Sequence, residues 1–520
     1  MDFAVSQSIH VVPELLAVVL AGFGNELIPL TSPLTSDHGD EPCPKALLPI
    51  ANKPMLEYPL AWLEQSGIKD VLLICPAVHK EPISHYVHSS SSFPSLSIDL
   101  QTFDETQDLS VGTCTVLRHF ANRIKRDFVL LPCDLIPPPN LPLSTLLDKF
   151  RTETVSDGAI ATACFIEAPK PDKNSLIDEW GMPAQRVPIV YDETTGTLLH
   201  IDTPDDSDRN AEEIELRMSL LSKYPRTRLS SVFQDSHVYV CKRTILDALE
   251  QKSDLDSIRD EFIPWLCKPQ YQRTRRQKYG QVLAPITNST SQETALRHST
   301  LHLQSPTSGA DSVDTEDSEE KPTSSASLRV GVVVHRARDG FTGRANNLHS
   351  YLELNRHFLT QTTYSLPSDP ENRALIDPKA NISSDSMVGQ STRVEERASI
   401  KRSIIGPHCV IGKMAKVVGC VLLDHCVIAD GAKLEGCILG KSTKVGPKAE
   451  LVRCVTQAGY EVEAGETYKH ERLETSDWAA ASEEEGSEDE DDGDETESEA
   501  ATGTGTQNTT DTEETTESEA

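Results

Sequence analysis

The chain of 520 residues contains no Cys-x-x-Cys pair, although it has 12 cysteines. Neither a zinc ribbon nor a small disulfide scaffold fits that usage. Basic residues are also scarce, with 49 Lys and Arg against 81 Asp and Glu, a net charge of −32. A chain of this sign has no broad basic face for nucleic acid or an anionic membrane. The longest apolar run, Leu15 to Gly22, is far short of the ~20 residues that span a bilayer. The amino terminus has no basic region, and Asp2 and Glu14 flank its apolar residues, so it does not read as a signal peptide. These absences predict a soluble, cytosolic (cytoplasmic) protein with reduced thiols, no membrane partner and no direct nucleic-acid contact.

The negative charge is concentrated. Residues 483–520 carry 17 acidic and no basic residues, and residues 287–327 carry 7 acidic against 2 basic. Both stretches are rich in Ser and Thr and poor in apolar residues, so they cannot offset the entropy of ordering. We read them as a disordered insertion and a disordered acidic tail. Trp478, beside the acidic run, is a candidate docking residue, although blocks of like charge are usually solvated. The remainder is only mildly acidic, and its length allows two to four domains.

From about Pro13 the sequence alternates short apolar runs with helical patterns. LLAVVLAG, VLLIC and FVLLPCD read as buried strands. Between the first two, Met55, Leu56, Leu60 and Leu63 recur at helical spacing, and Gly67 stands where a helix cap belongs. VGTCTVLRHFANRI supplies a second helix before FVLLPCD. The order strand, helix, strand predicts a Rossmann-like α/β domain with a parallel sheet. After the insertion, RVGVVVH reads as a further strand, and Leu348, Tyr351, Leu352 and Leu354 mark a further helix of the same domain.

A different period begins at Val388. Aliphatic residues stand at Val388, Val394, Ile400, Ile405, Ile411, Val417, Leu422, Ile428, Leu434, Leu439, Val445 and Leu451, in steps of six, six and five. With about a quarter of residues aliphatic, chance agreement is about 10⁻⁷. Two residues before each following corner the side chain is small: Thr392, Ala398, Ser403, Cys409, Ala415, Cys420, Cys426, Ala432, Cys437, Thr443, Ala449 and Cys454. A triangular parallel β-helix with 17-residue coils requires this alternation of large and small interior residues. Gly389, Gly406, Gly412, Gly440 and Gly446 follow corner residues, which suggests sharp turns there. The stacked cysteines are expected to be small apolar fillers and not a metal site.

The segment LAGFGNELIPLT and the later PKALLPIANKPMLEYPL resemble the opening of the nucleotide-sugar pyrophosphorylases, Leu-Ala-Gly-Gly-x-Gly-Thr-Arg-Leu-x-Pro-Leu-Thr followed by Pro-Lys-Pro-Leu. Gly22, Gly24, Leu27, Pro29, Leu30, Thr31, Pro44 and Lys45 match. Asp134 stands where the resemblance implies a magnesium-binding aspartate. Gly22, Gly24, Lys45 and Asp134 are therefore candidate, vestigial nucleotide-binding residues. The alternative places Lys45 on a surface loop and Asp134 at a strand end in purely structural roles.

Three positions depart from the pattern. Phe23 replaces a glycine, Asn25 a threonine and Glu26 an arginine, and twelve residues separate Thr31 from Pro44. One charge about 4 Å from a phosphate is worth ~4 kcal/mol at an effective dielectric near 20. Reversing it costs more than ~2.5 kcal/mol even when solvent removes two thirds, close to a hundredfold in rate.

A broken pyrophosphorylase signature followed by a β-helix resembles the gamma and epsilon subunits of the guanine-nucleotide exchange factor for translation initiation factor 2. PCPKALLPIANKPMLEYPLAWLE and RANNLHSYLELNRHFL are most similar to gamma. The resemblance implies a nucleotidyltransferase-like domain over 13–365 (with 287–327 as the insertion), a left-handed β-helix of hexapeptide repeats over 366–466 and an acidic tail over 467–520. It implies a non-catalytic role, since the helical-repeat domain with which epsilon performs exchange has no counterpart here. Implied partners are the epsilon subunit, the alpha, beta and delta regulatory subunits and initiation factor 2, with no cofactor and no metal. Two enzymatic alternatives are a mannose-1-phosphate guanylyltransferase-type pyrophosphorylase, and an acyltransferase using His408 or His425, which lie one coil apart.

Overall fold

The computed structural model describes residues 14–32, 43–89, 93–104, 111–167, 187–202, 216–284, 327–361 and 369–474. All of the proposed insertion but Ser327, and most of the acidic tail, with Trp478, lie outside these residues. All the described residues fall within one compact unit, residues 1–475.

The apolar runs become the centre of a ten-stranded sheet. Leu15–Leu20 pairs in parallel with Asp70–Pro76 on one side and Asp127–Pro132 on the other, and Ser97–Phe103 closes that edge in parallel. These strands are apolar at nearly every position because both faces are covered. Val18, Leu72 and Leu130 join one core cluster, while Ala17, Val19, Leu73 and Leu131 join the cluster on the opposite face. The helix Glu57–Ser66 ends at Gly67 with a left-handed φ of 80°. Val330–His335 adds in parallel beside Ala161–Glu167, so the segment after residue 327 does complete the first domain.

The sheet is mixed, however, and not wholly parallel. Phe233–Cys241 lies antiparallel between Asp127–Pro132 and Ala161–Glu167. The far edge is an antiparallel set of Thr197–Ile201, Ile189–Asp192 and Thr227–Ser230. Parallel pairing needs a crossover connection, and the expectation of a parallel sheet rested on the two strand–helix–strand units at the amino-terminal end.

The 17-residue period closes into three parallel sheets of six, six and five strands. All twelve aliphatic positions are buried, and so are all twelve small ones. The small residues also have a polar task. Thr392 Oγ1 donates to Gly406 O at 2.8 Å, Cys409 Sγ to Leu423 O at 3.2 Å and Cys426 Sγ to Gly440 O at 3.1 Å. Each donates to a carbonyl of the next coil, which helps to keep the buried backbone paired.

The turns are made elsewhere than the glycine pattern suggested. Gly389, Gly406, Gly412, Gly440 and Gly446 are not among the residues with positive φ. They are glycine because the next coil passes too close, since a Cβ on Gly406 would lie 2.8 Å from the carbonyl carbon of Leu423. The sharp bends fall two or three residues later, on left-handed residues such as Ser391, His408, Met414, His425 and Arg453. The coil also runs beyond Glu466, the expected boundary. Thr467–Lys469 pairs with Glu450–Val452, and Arg472–Leu473 with Val455–Thr456. There Tyr468 and Glu466 interrupt the aliphatic and small pattern, which is why the period alone stopped short.

One face of the β-helix is covered by the first domain. Val421, Leu423, Ile438 and Val455 share a core cluster with Leu27, Leu30, Leu48, Met55, Leu348, Tyr351 and Leu352. The hairpin Pro49–Pro54 adds polar ties: Asn52 Nδ2 donates to Ile405 O at 2.9 Å, and Ala51 N to Asn355 Oδ1 at 3.0 Å. Two substitutions measure this packing by denaturant unfolding. Ile411→Ala, at a fully buried interior position, is expected to destabilise the β-helix by about 2–5 kcal/mol. Gly406→Ala is expected to cost about 1–3 kcal/mol, because neither coil has room to move apart.

Candidate nucleotide site

The carboxyl ends of Leu15–Leu20 and Asp127–Pro132 open onto a cavity of about 210 Å³. Ligands of open α/β sheets bind at such strand ends. Gly22, Lys45 and Asp134 all line it, so three of the four residues singled out from sequence meet at one wall. Gly22 has open space where a Cβ would stand. Gly24 lies behind Lys45. Its φ is +83°, and a Cβ there would come within 2.9–3.1 Å of the lysine stem. This glycine is therefore the bed that lets Lys45 reach inward.

Lys45 is not on a surface loop; it is 7% exposed and Asp134 is 1% exposed. Lys45 Nζ donates to Asp134 Oδ2 at 2.6 Å and to Asn346 Oδ1 at 3.0 Å. Arg344 completes the arrangement with two parallel bonds, Nε to Oδ1 at 2.8 Å and Nη2 to Oδ2 at 2.9 Å. Burial alone raises the pKa of the Asp134 carboxyl, but Arg344 and Lys45 outweigh it and hold the group well below the usual carboxylate range. Arg344 and Asn346 were not anticipated as site residues. RANN was read only as the lead-in to a helix, and its arginine, about 200 residues from Asp134, gave no local sign of where it points.

The rest of the lining includes Arg259 and the side chains of His237 and Tyr239. The antiparallel strand Phe233–Cys241 shifts register between Asp235 and Val238, and His237 takes a left-handed φ of 59° there. The bulge places His237 among the lining residues. Burial, with the positive charges of Arg344 and Arg259, keeps its imidazole far below the ordinary range and hence neutral. Asp235 accepts from the Tyr239 hydroxyl at 2.5 Å and from the His237 N–H at 2.8 Å.

Asp134 does not suit the magnesium role of the pyrophosphorylase pattern. Both its oxygens are occupied by buried cationic donors, and a divalent ion would have to displace a two-pronged arginine pair. Among the described residues, no group of three or more His, Cys, Asp and Glu is placed to hold a metal ion. The departures from the pattern are not among the lining residues. Glu26 is exposed on the short turn Asn25–Leu27. Phe23 packs edge-on against His79 with ring centroids 5.1 Å apart. His408 and His425 are far from any such cavity in character: they are exposed, stacked in parallel with centroids 4.9 Å apart, and sit on left-handed turns.

Two stability measurements follow. Asp134→Ala leaves two buried cations uncompensated and is expected to cost about 3–5 kcal/mol at pH 7. A depressed carboxylate stabilises above its unfolded pKa of about 3.9, and that contribution is lost as pH falls. The deficit of Asp134→Ala should therefore shrink in acid. His79 is 2% exposed, and burial lowers its pKa to about 4. Its buried neutral ring stabilises fully above about pH 6.5, and as pH falls towards 4 the unfolded state takes up the proton first. Stability should drop by up to about 3 kcal/mol across that window, and His79→Leu should flatten the unfolding-versus-pH curve there.

Comparison with known proteins agrees with this architecture. Residues 16–174 match the nucleotidyl transferase family, and residues 370–468 match the EIF2B subunit epsilon LbH domain, the left-handed β-helix. The Schizosaccharomyces pombe translation initiation factor eIF2B subunit gamma is 34% identical over 392 residues, 74% of each chain. The Dictyostelium discoideum eIF2B subunit gamma is 24% identical over 397 residues, covering 72% of this chain and 84% of its own. The S. pombe eIF2B subunit epsilon is 24% identical over 233 residues, 44% of this chain and 32% of its own. Both halves of the fold and most of its length thus point to one family, and the chain belongs to that of the eIF2B gamma subunits.

Proposed function

We propose that the chain is a non-catalytic subunit of the cytosolic complex that exchanges GDP for GTP on translation initiation factor 2. It pairs with an epsilon subunit in the catalytic subcomplex and joins alpha, beta and delta regulatory subunits. The observation that carries the non-catalytic reading is the saturation of Asp134 by Arg344 and Lys45. Nucleotidyl transfer needs cations free to stabilise departing pyrophosphate. Here the cavity's lysine is already paired with a buried carboxylate, and Glu26 stands in place of the arginine. Gly22, Gly24, Lys45 and Asp134 then form a remnant of a nucleotide pocket whose charges serve the fold.

Pairing with a related chain is supported by the β-helix. Its face carrying Val421, Ile438 and Val455 is covered from within. The other two sheets and the ends of the coil are left for a partner. The subunit acts by favouring an exchange-competent arrangement of epsilon, without contacting the phosphates itself.

Two assays test this. Adding the purified chain to epsilon should accelerate GDP release from initiation factor 2 severalfold, and a rate equal to that of epsilon alone would sink the proposal. Second, the chain with GTP and mannose 1-phosphate should release no pyrophosphate. The double variant Phe23→Gly with Glu26→Arg should stay inactive too, because Lys45 remains bound to Asp134. Turnover in the unaltered chain would favour the pyrophosphorylase reading.

A further inference from the structure

A second cavity, of about 780 Å³, belongs neither to the nucleotide site nor to the covered face of the β-helix. It is an open groove between the last two turns of the helix Leu348–Gln361 and one corner of the coil. That corner is a ladder of left-handed turn residues: Arg402, Gly419, Gly436 and Arg453, one per coil. Backbone bonds hold the ladder rigid, with Gly419 N donating to Lys401 O at 2.9 Å, Gly436 N to Val418 O at 2.8 Å and Arg453 N to Glu435 O at 2.7 Å.

Three features give the groove its character. The two glycines lower the floor between two arginines, and Gly419 has nothing within 4 Å of where a Cβ would be. Arg356 overhangs the floor from the helix, so three guanidinium groups converge in a chain whose folded part is mildly acidic. Burial, reinforced by the like charges of Arg402 and Arg453 and opposed by Glu353, holds Arg356 below its ordinary pKa. Neither Arg356 nor Arg402 has a carboxylate within ion-pair distance among the described residues, unlike Lys433 with Glu450 and Lys444 with Glu461 on the other two sheets. Among the described residues, the acidic ones in the lining are Glu435, between the arginines, and Asp385 at one end.

Spacing selects the ligand. Arg402 and Arg453 are three coils apart, about 14 Å at the usual distance between neighbouring strands. A nucleotide's phosphate chain is too short to bridge them, and centred between them it would lie against Glu435. An extended peptide advances about 13 Å in four residues and presents residues i and i+4 on the same side. We propose that this groove docks an extended acidic segment of a partner protein, with carboxylates four residues apart meeting Arg402 and Arg453 and an uncharged or basic residue between them facing Glu435. The assignment is independent of whether the chain stimulates nucleotide exchange.

The test uses the purified full-length chain and fluorescence anisotropy with a labelled dodecapeptide of Ser and Gly carrying two Glu residues four positions apart. A second peptide has Gln at both places. The Glu peptide should bind at least fivefold more tightly than the Gln peptide, and Arg402→Ala or Arg453→Ala should each remove at least fivefold. Lys444→Ala, on another face, should change binding less than twofold. Glu435→Lys should tighten binding at least threefold, a gain that misfolding cannot mimic. Equal binding of the two peptides, no binding at millimolar concentration, or weaker binding by Glu435→Lys would overturn the proposal. Displacement of the peptide by inorganic triphosphate at lower concentration than by unlabelled peptide would overturn it as well, assigning the groove to small anions.

Discussion

The carboxylate of Asp134 ties together three distant segments of the first domain. It lies at the end of a central strand, and its partners come from positions 89 and 210 residues away in the chain. A buried carboxylate without them would be expensive, as would either cation alone. Each of the three groups therefore fixes the other two. Arg344 and Asn346 lead directly into the helix Leu348–Gln361, whose apolar residues meet the β-helix. The ion cluster thus sets where that helix begins, and the helix sets where the coil docks.

The same cluster changes what the strand ends of this nucleotidyltransferase fold offer a ligand. Here Lys45 and Arg344 are paired with a buried anion, so their charges stabilise the fold. Phe23 and Glu26 are the visible departures in the sequence, and the pairing of Lys45 with Asp134 is visible only in the structure. The β-helix shows a parallel economy. Its small interior residues fill space and cap carbonyls, and its left-handed turns are held by backbone bonds between coils.

Much of the fold was legible in the sequence. The apolar runs announced strands covered on both sides, and Gly67 announced a helix end. The interior of the β-helix was readable because each coil repeats the same packing problem at fixed intervals. A further row went unread. Ile404, Val421, Ile438 and Val455 recur every 17 residues directly before the corner positions, whereas the equivalent residues of the other faces include Lys416, Lys433, Lys444 and Glu461. That asymmetry marks the covered face. The antiparallel strand Phe233–Cys241 carried no comparable mark, because strand direction depends on where the connecting chain returns.

For the site, the glycines, Lys45 and Asp134 were all found through the resemblance to the pyrophosphorylase pattern. What they do was not readable. A motif records residue types near one another in sequence, so by itself the sequence determined the periodic core, the two-part architecture and the broken signature. Tertiary structure alone decided that Arg344 reaches Asp134, that one face of the coil is shut and that three arginines border an open groove. Those outcomes depend on charges and surfaces brought together across hundreds of residues, where no local pattern carries their distance.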